Sequence, residues 1–115
     1  MKYALLVYGT TDARDALSED DRRRINAEID LLLARPNVSS WVRLQPVDSA
    51  TTVRHNDGRT LLTDGPFVDS KEYLGGLIMV EATNLDEALA AAGEFQAALA
   101  GHSGAIEVRP ILDAE

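Results

Sequence analysis

Two stretches of this chain are apolar on both parities of a strand, and no other feature narrows its folding options as far. In Lys2 to Tyr8, the side chains of Tyr3, Leu5 and Val7 point one way and those of Ala4, Leu6 and Tyr8 the other. Tyr73 to Ala82 repeats the pattern, with Leu77 and Met79 set against Ile78 and Val80. Side chains alternate faces along a strand, so such strands belong in the middle of a sheet covered on both sides. Leaving several of these side chains in water would cost about 1.5–3 kcal/mol each relative to burying them.

The rest of the chain supplies partners for these strands. Gly9 to Ala16 is polar and reads as a loop, with room for a short turn. Ser18 is a predicted helix N-cap, followed by Glu19, Asp20 and Asp21 at the positive end of the helix dipole. Ile25, Ile29, Leu32 and Leu33 then form one helical stripe, which Pro36 ends. Arg22, Arg23 and Arg24 point in different directions on that helix beside three acids, so they read as a solvated, paired face. Val38 to Leu44 is a second predicted strand. Ala50 to His55 and Arg59 to Thr63 flank Asn56-Asp57-Gly58, a hairpin signal. Asn84 and Glu87 form a capping-box pattern ahead of Leu85, Ala88, Leu89, Ala92, Phe95 and Leu99. Gly101 stands where a C-terminal cap is expected. Ala105 to Pro110 is the last predicted strand, with Ile106 and Val108 on one face and Glu107 and Arg109 on the other.

The order β-α-β, hairpin, β-α-β predicts an α+β fold: a ferredoxin-like split βαβ with an inserted β-hairpin, in a single domain spanning residues 1–115. Right-handed crossovers place both helices on one face of an antiparallel sheet. The second face then needs cover. The hairpin is expected to supply part of it, and a second copy of the chain the rest, sheet against sheet, giving a homodimer.

Composition excludes several functions. There is no cysteine, which removes thiol catalysis, thiolate metal sites and disulfides, and suits a reducing cytoplasm. A formal charge of −8 repels phosphate backbones and anionic lipids, so neither nucleic acid nor a membrane surface is an expected partner. No run approaches the roughly 20 apolar residues of a membrane span. The short apolar N-terminus lacks the length and cleavage site of a signal peptide. Two histidines, His55 and His102, with no convergent third ligand predict no metal. No glycine-rich phosphate loop or nucleophile elbow is present, and no cofactor is expected.

The most distinctive segment is Thr63-Asp64-Gly65-Pro66-Phe67-Val68-Asp69-Ser70-Lys71-Glu72, followed by Leu74-Gly75-Gly76. Gly-Pro after an acid predicts a tight turn, and paired glycines in a strand predict a bulge or a close backbone approach. Together with Met1-Lys2-Tyr3, Leu44-Gln45-Pro46, Ala50 to Arg54, Leu85 to Ala88 and Ile106 to Pro110, this segment resembles the DGPF-domain branch of the YCII-related family over nearly the whole chain. The resemblance implies a dimeric α+β barrel, the architecture of muconolactone isomerases and small antibiotic-biosynthesis monooxygenases. In the wider family an active site built on a His–Asp pair has been suggested. The helix from Glu19 to Arg35 contains no histidine, so that pair does not carry over whole. Many members of the branch are linked with extracytoplasmic-function sigma factors.

Six residues stand out as candidates. Asp64 opens the distinctive segment on a stiff Gly-Pro turn that could aim a carboxylate for acid/base work; a purely turn-forming Asp is the competing account. His102, after the second helix, is either a helix-end charge or a general acid/base. Phe67, Lys71, Glu107 and Arg109 are the candidate ligand-binding residues, Phe67 as a plug in an apolar cleft and the charged strand pair as its barrel-side lining. Two functions follow. One is a protein that binds a small organic molecule in a cleft beside the sheet, between sheet and hairpin, with cofactor-independent acid/base catalysis. The other is a non-catalytic binding or regulatory protein tied to sigma-factor control.

Overall fold

The computed structural model describes residues 1–99 and 103–112, with only the backbone of Thr11, Arg14 and Ser103. Its elements are β1 (Lys2–Gly9), α1 (Thr11–Asp15), α2 (Glu19–Leu33), β2 (Val38–Arg43), β3 (Thr51–Asn56), β4 (Arg59–Asp64), β5 (Tyr73–Glu81), α3 (Leu85–Ala98) and β6 (Ser103–Pro110). The two strands that are apolar on both faces, β1 and β5, are the central pair of a four-stranded antiparallel sheet ordered β2-β5-β1-β6. Both β1 and β2 run antiparallel to β5, so α2 makes a parallel crossover between them, and α3 does the same between β5 and β6. This is the predicted split βαβ topology.

Register assigns each side chain to a face. Tyr3 lies opposite Val80 and Leu5 opposite Ile78, and these four meet Ile29 of α2 and Ala88, Ala92 and Phe95 of α3 in one core. Leu5 and Val80 are wholly buried at its centre. Ile106 and Val108 pack against the same core from β6, as their parity predicts.

Both helices start where local chemistry satisfies their first amides. The Asp21 N–H donates to Ser18 Oγ at 3.1 Å, and the Glu87 N–H donates to Asn84 Oδ1 at 2.9 Å. The predicted capping box closes one residue early, with Glu87 Oε1 accepting from the Thr83 N–H at 3.3 Å. Arg23 pairs with Glu19 and Asp20, and Arg24 with Asp21, as the charge run suggests. On α3, Leu85 and Leu89 are exposed rather than core residues, because Ala88, Ala92 and Phe95 form the contacting stripe. Gly101 lies outside the described residues.

The structure departs from the sequence expectation in two places. The segment after β1, expected as a loop with room for a short turn, holds a helix, the five-residue α1, whose Ala13 N–H donates to Thr10 Oγ1 at 3.1 Å, a local cap not read from the polar composition. The hairpin does not cover the sheet. β3 and β4 pair only with each other, and every residue in them except Thr52 is exposed. Its turn is well made: Asp57 (φ 51°) and Gly58 (φ 76°) supply the two positive angles of a type I′ connection. Its apolar cross-strand pair, Val53 and Leu62, faces water instead of the sheet.

The second face of the sheet is therefore open. Ala4, Leu6, Leu77 and Met79 share it by register, with Val42 on β2 and Glu107 and Arg109 on β6. The molecule measures 46 × 44 × 19 Å. Its short dimension equals about one helix layer on one sheet, roughly 10 Å each, and leaves no room for a third layer.

Candidate functional site

A cleft of about 620 Å³ opens between α2 and the end of the sheet where β1 and β2 finish and β5 begins. Ile25, Ile29 and Leu33 of α2 form its roof, and Val7, Trp41 and Ile78 line it from the sheet. Leu44 to Val47, the chain leaving β2, closes one side. The size falls in the range of small-molecule sites, about 300–1,000 Å³.

Two glycines shape the floor. Val7 pairs with Gly76 but Tyr8 pairs with Leu74, so Gly75 is the extra residue of a bulge in β5. Its carbonyl oxygen accepts from the Leu44 N–H at 2.9 Å, which holds the end of β2 against the bulge. Gly76 sits between Arg43 and Val7 in one row across the sheet, on the parity of the helix-facing Ile78. With no side chain at the centre of that row, the floor is recessed beneath α2. A bulge and a close backbone approach were the two predictions for this glycine pair, and each is found: the bulge at Gly75, the approach at Gly76, where an added Cβ would lie 3.0 Å from the Val42 carbonyl oxygen.

Polar groups converge on this apolar hollow. Arg22 and Asn26 reach it from α2, Asp15 from the end of α1, and Arg43 and Gln45 from β2 and the segment after it. The Arg43 guanidinium carbon lies 5.5 Å from the centroid of the Trp41 ring, within cation–π range. Trp41 and Arg43 share a face because they are two residues apart on one strand. Tyr73 also lines the cleft, and its hydroxyl donates to Asp69 Oδ1 at 3.1 Å, which ties the distinctive segment to the rim.

Five of the six residues singled out from the sequence lie elsewhere. Asp64 ends β4, exposed and outside the cleft. The chain bends behind it, with Gly65 at φ 105°; the Gly65 N–H donates to the Ala50 carbonyl at 2.7 Å, and its own carbonyl accepts from Thr52 Oγ1 at 2.8 Å. Phe67 does not plug an apolar cleft. It is exposed, with the Arg54 guanidinium carbon 4.8 Å from its ring centroid, because the hairpin that carries it stands off the sheet. Lys71 is exposed in the segment before β5. Glu107 and Arg109 occupy the open sheet face, as their parity implies, and Glu107 Oε1 accepts from the Tyr8 hydroxyl at 3.4 Å. His102 lies outside the described residues. The expected cleft between sheet and hairpin gives way to one between sheet and α2.

Sequence reasoning missed Trp41, Arg43, Arg22 and Asp15 as cleft residues. A signal for the first two was present: the sole tryptophan of the chain, two positions from an arginine, on a strand. Arg22 was hidden inside a run of three arginines that read together as one solvated face.

A family model for the YCII-related domain matches residues 1–115, the whole chain. The chain belongs to the YCII-related family. An uncharacterised protein of Rhizobium meliloti (strain 1021) is 32% identical over 115 residues, covering 96% of this YCII-related chain and 92% of that protein. Among solved structures, 5-chloro-2-hydroxyhydroquinone dehydrochlorinase of Burkholderia phenoliruptrix AC1100, in complex with 2,5-dihydroxybenzoquinone, aligns with a TM-score of 0.51 at 16% identity. The alignment covers 99% of this chain and 96% of that one, and likeness at this identity shows a common fold. Among the described residues no helix is long and apolar enough to cross a membrane.

Proposed function

We propose that this YCII-related protein binds a small organic molecule in the cleft beneath α2. The observation that carries the reading is the recess itself: about 620 Å³, with aliphatic walls and an aromatic ring, and with Asp15, Arg22, Asn26 and Arg43 converging on it. Apolar area gives affinity in such a site, and a few fixed polar groups give orientation. The dehydrochlorinase of the same fold holds a small ring compound, which supports the reading by analogy of fold alone. Asp15 is the carboxylate within reach of a bound molecule and would be the proton carrier of any acid/base step there.

The working form is a dimer. The open sheet face presents Ala4, Leu6, Val42, Leu77 and Met79 together, and a second copy packed sheet to sheet would remove them from water. Glu107 and Arg109 would then lie at that interface rather than in the cleft.

A thermal-shift screen of small organic molecules, followed by NMR of the ¹⁵N-labelled protein with each hit, tests the binding reading. A ligand that binds only the native state raises the melting temperature. The expected result is stabilisation with shifts clustered on the Trp41 indole, Arg43 and Asn26. Hits that shift only residues outside the cleft would overturn it.

A further inference from the structure

We infer that the ligand of this cleft is a planar aromatic acid, its ring laid against Trp41 and its carboxylate held by Arg43; the inference rests on the binding reading proposed above and names its ligand class. The first argument is charge. The chain carries 19 acidic and 11 Lys and Arg side chains, so its general field repels anions. The cleft reverses this balance, with Arg22 and Arg43 against Asp15 among the ionised residues that line it. A local excess of positive charge in an acidic protein favours an anion at that one place.

The second argument is the state of Arg43. Arg23, Arg24 and Arg35 are each matched to carboxylates of this chain. Arg22 has an interaction of its own and is not assigned the principal role. Arg43 has the Trp41 ring as its neighbour and, among the described residues, no carboxylate within salt-bridge distance. A guanidinium presents its donors as a planar fork that matches a carboxylate in two parallel hydrogen bonds. The cation–π contact with the indole restricts the guanidinium's motion, so less freedom is lost when an anion docks.

The third argument is the ring. Trp41 is 45% exposed although it lies on the helix-facing side of the sheet, beside the recess left by Gly76. The ring surface of Trp41 that stays exposed beside Arg43, in a hollow otherwise walled by Ile25, Ile29 and Leu33, is open to an aromatic partner. Carboxylate and ring must then sit in one molecule, because Arg43 and Trp41 are neighbours on one strand.

The test uses four probes with the intact protein: benzoate, cinnamate, benzamide and cyclohexanecarboxylate. Binding is read at pH 7 by calorimetry and by the Trp41 indole N–H resonance. The aromatic acids are expected to bind about tenfold or more tighter than benzamide, the uncharged isostere, and tighter than the non-aromatic acid. Arg43→Gln should abolish the preference for benzoate over benzamide, and Arg43→Lys should restore only part of it, since a point charge replaces the fork. Circular dichroism checks that both variants fold. If benzamide binds in the cleft as tightly as benzoate, or if only uncharged molecules from the thermal-shift screen bind there, the inference fails while the binding reading stands. If no probe and no screened molecule perturbs the cleft, both fail.

Discussion

A Cβ placed on Gly76 would stand 3.0 Å from the carbonyl oxygen of Val42, tighter than an ordinary Cβ contact and against backbone rather than a flexible side chain. The neighbouring glycine is different: a Cβ on Gly75 would meet the Val7 carbonyl oxygen at 3.8 Å, an ordinary contact. Gly76→Ala is therefore expected to force the two strands apart and cost about 1–3 kcal/mol, as overpacking generally does. Gly75→Ala should cost less than about 1 kcal/mol, roughly the scale of small surface changes. Urea denaturation of the two variants checks the order. Equal stabilities would remove the close approach as the reason for a glycine at 76.

The turn after β4 depends on a different property of glycine. Gly65 has φ 105°, an angle L-residues rarely adopt, and nothing lies near its missing side chain. Strain, not crowding, opposes substitution here. Gly65→Ala should destabilise the base of the hairpin by about 1–3 kcal/mol of local backbone strain, seen as faster hydrogen exchange at the Gly65 bond to Ala50 and in β3 and β4. Because β3 and β4 pair only with each other, the exchange rates of β1 and β5 should stay as they were.

How much of this was legible in the sequence follows from the range over which each feature is decided. The central position of β1 and β5 could be read because being apolar on both faces is a property of each strand alone. The caps at Ser18 and Asn84 and the turn at Asp57-Gly58 could be read because their chemistry lies within four residues. The attitude of the hairpin could not, since Val53 and Leu62 would suit a docked or a free arm equally. The cleft was hidden for a related reason. Gly76 signals a close approach, but that α2 passes over it, and that Trp41 and Arg43 flank it, depends on packing between elements far apart in sequence. Asp64 and Phe67 stand out in the sequence instead, yet their unusual local motif builds the hairpin base rather than the recess.

The open face of the sheet leads to a third expectation. Leu77 and Met79 are half-buried by their own sheet and have no layer above them. If a second copy supplies that layer, a charge there would have to be buried at a cost of several kcal/mol. The parent protein is expected to sediment as a dimer in analytical ultracentrifugation and Met79→Asp, at the same concentration, as a folded monomer. Far-ultraviolet circular dichroism should match the parent, because the core-facing partners Ile78 and Val80 are untouched. A variant that sediments as the parent does would show that this face is not the contact.

The last expectation concerns Asp64. Its carboxylate is exposed at the end of β4, and the turn behind it is held by the Gly65 bonds to Ala50 and Thr52, which use backbone groups of Gly65 and no atom of the Asp64 side chain. Asp64→Asn removes one charge and keeps shape and acceptor, so stability should change by no more than about 0.5 kcal/mol, as for other surface substitutions. Benzoate affinity, read at the Trp41 indole, should also stay within about twofold of the parent, because Asp64 does not line the recess and an exposed, solvated charge interacts only weakly with its surroundings. Asp15→Asn is the informative contrast. It removes the acid that does line the recess, leaves Arg22 and Arg43 in place, and should tighten benzoate binding by relieving like-charge repulsion. Affinity that falls in Asp64→Asn and is unchanged in Asp15→Asn would move the binding site from α2 to the hairpin base.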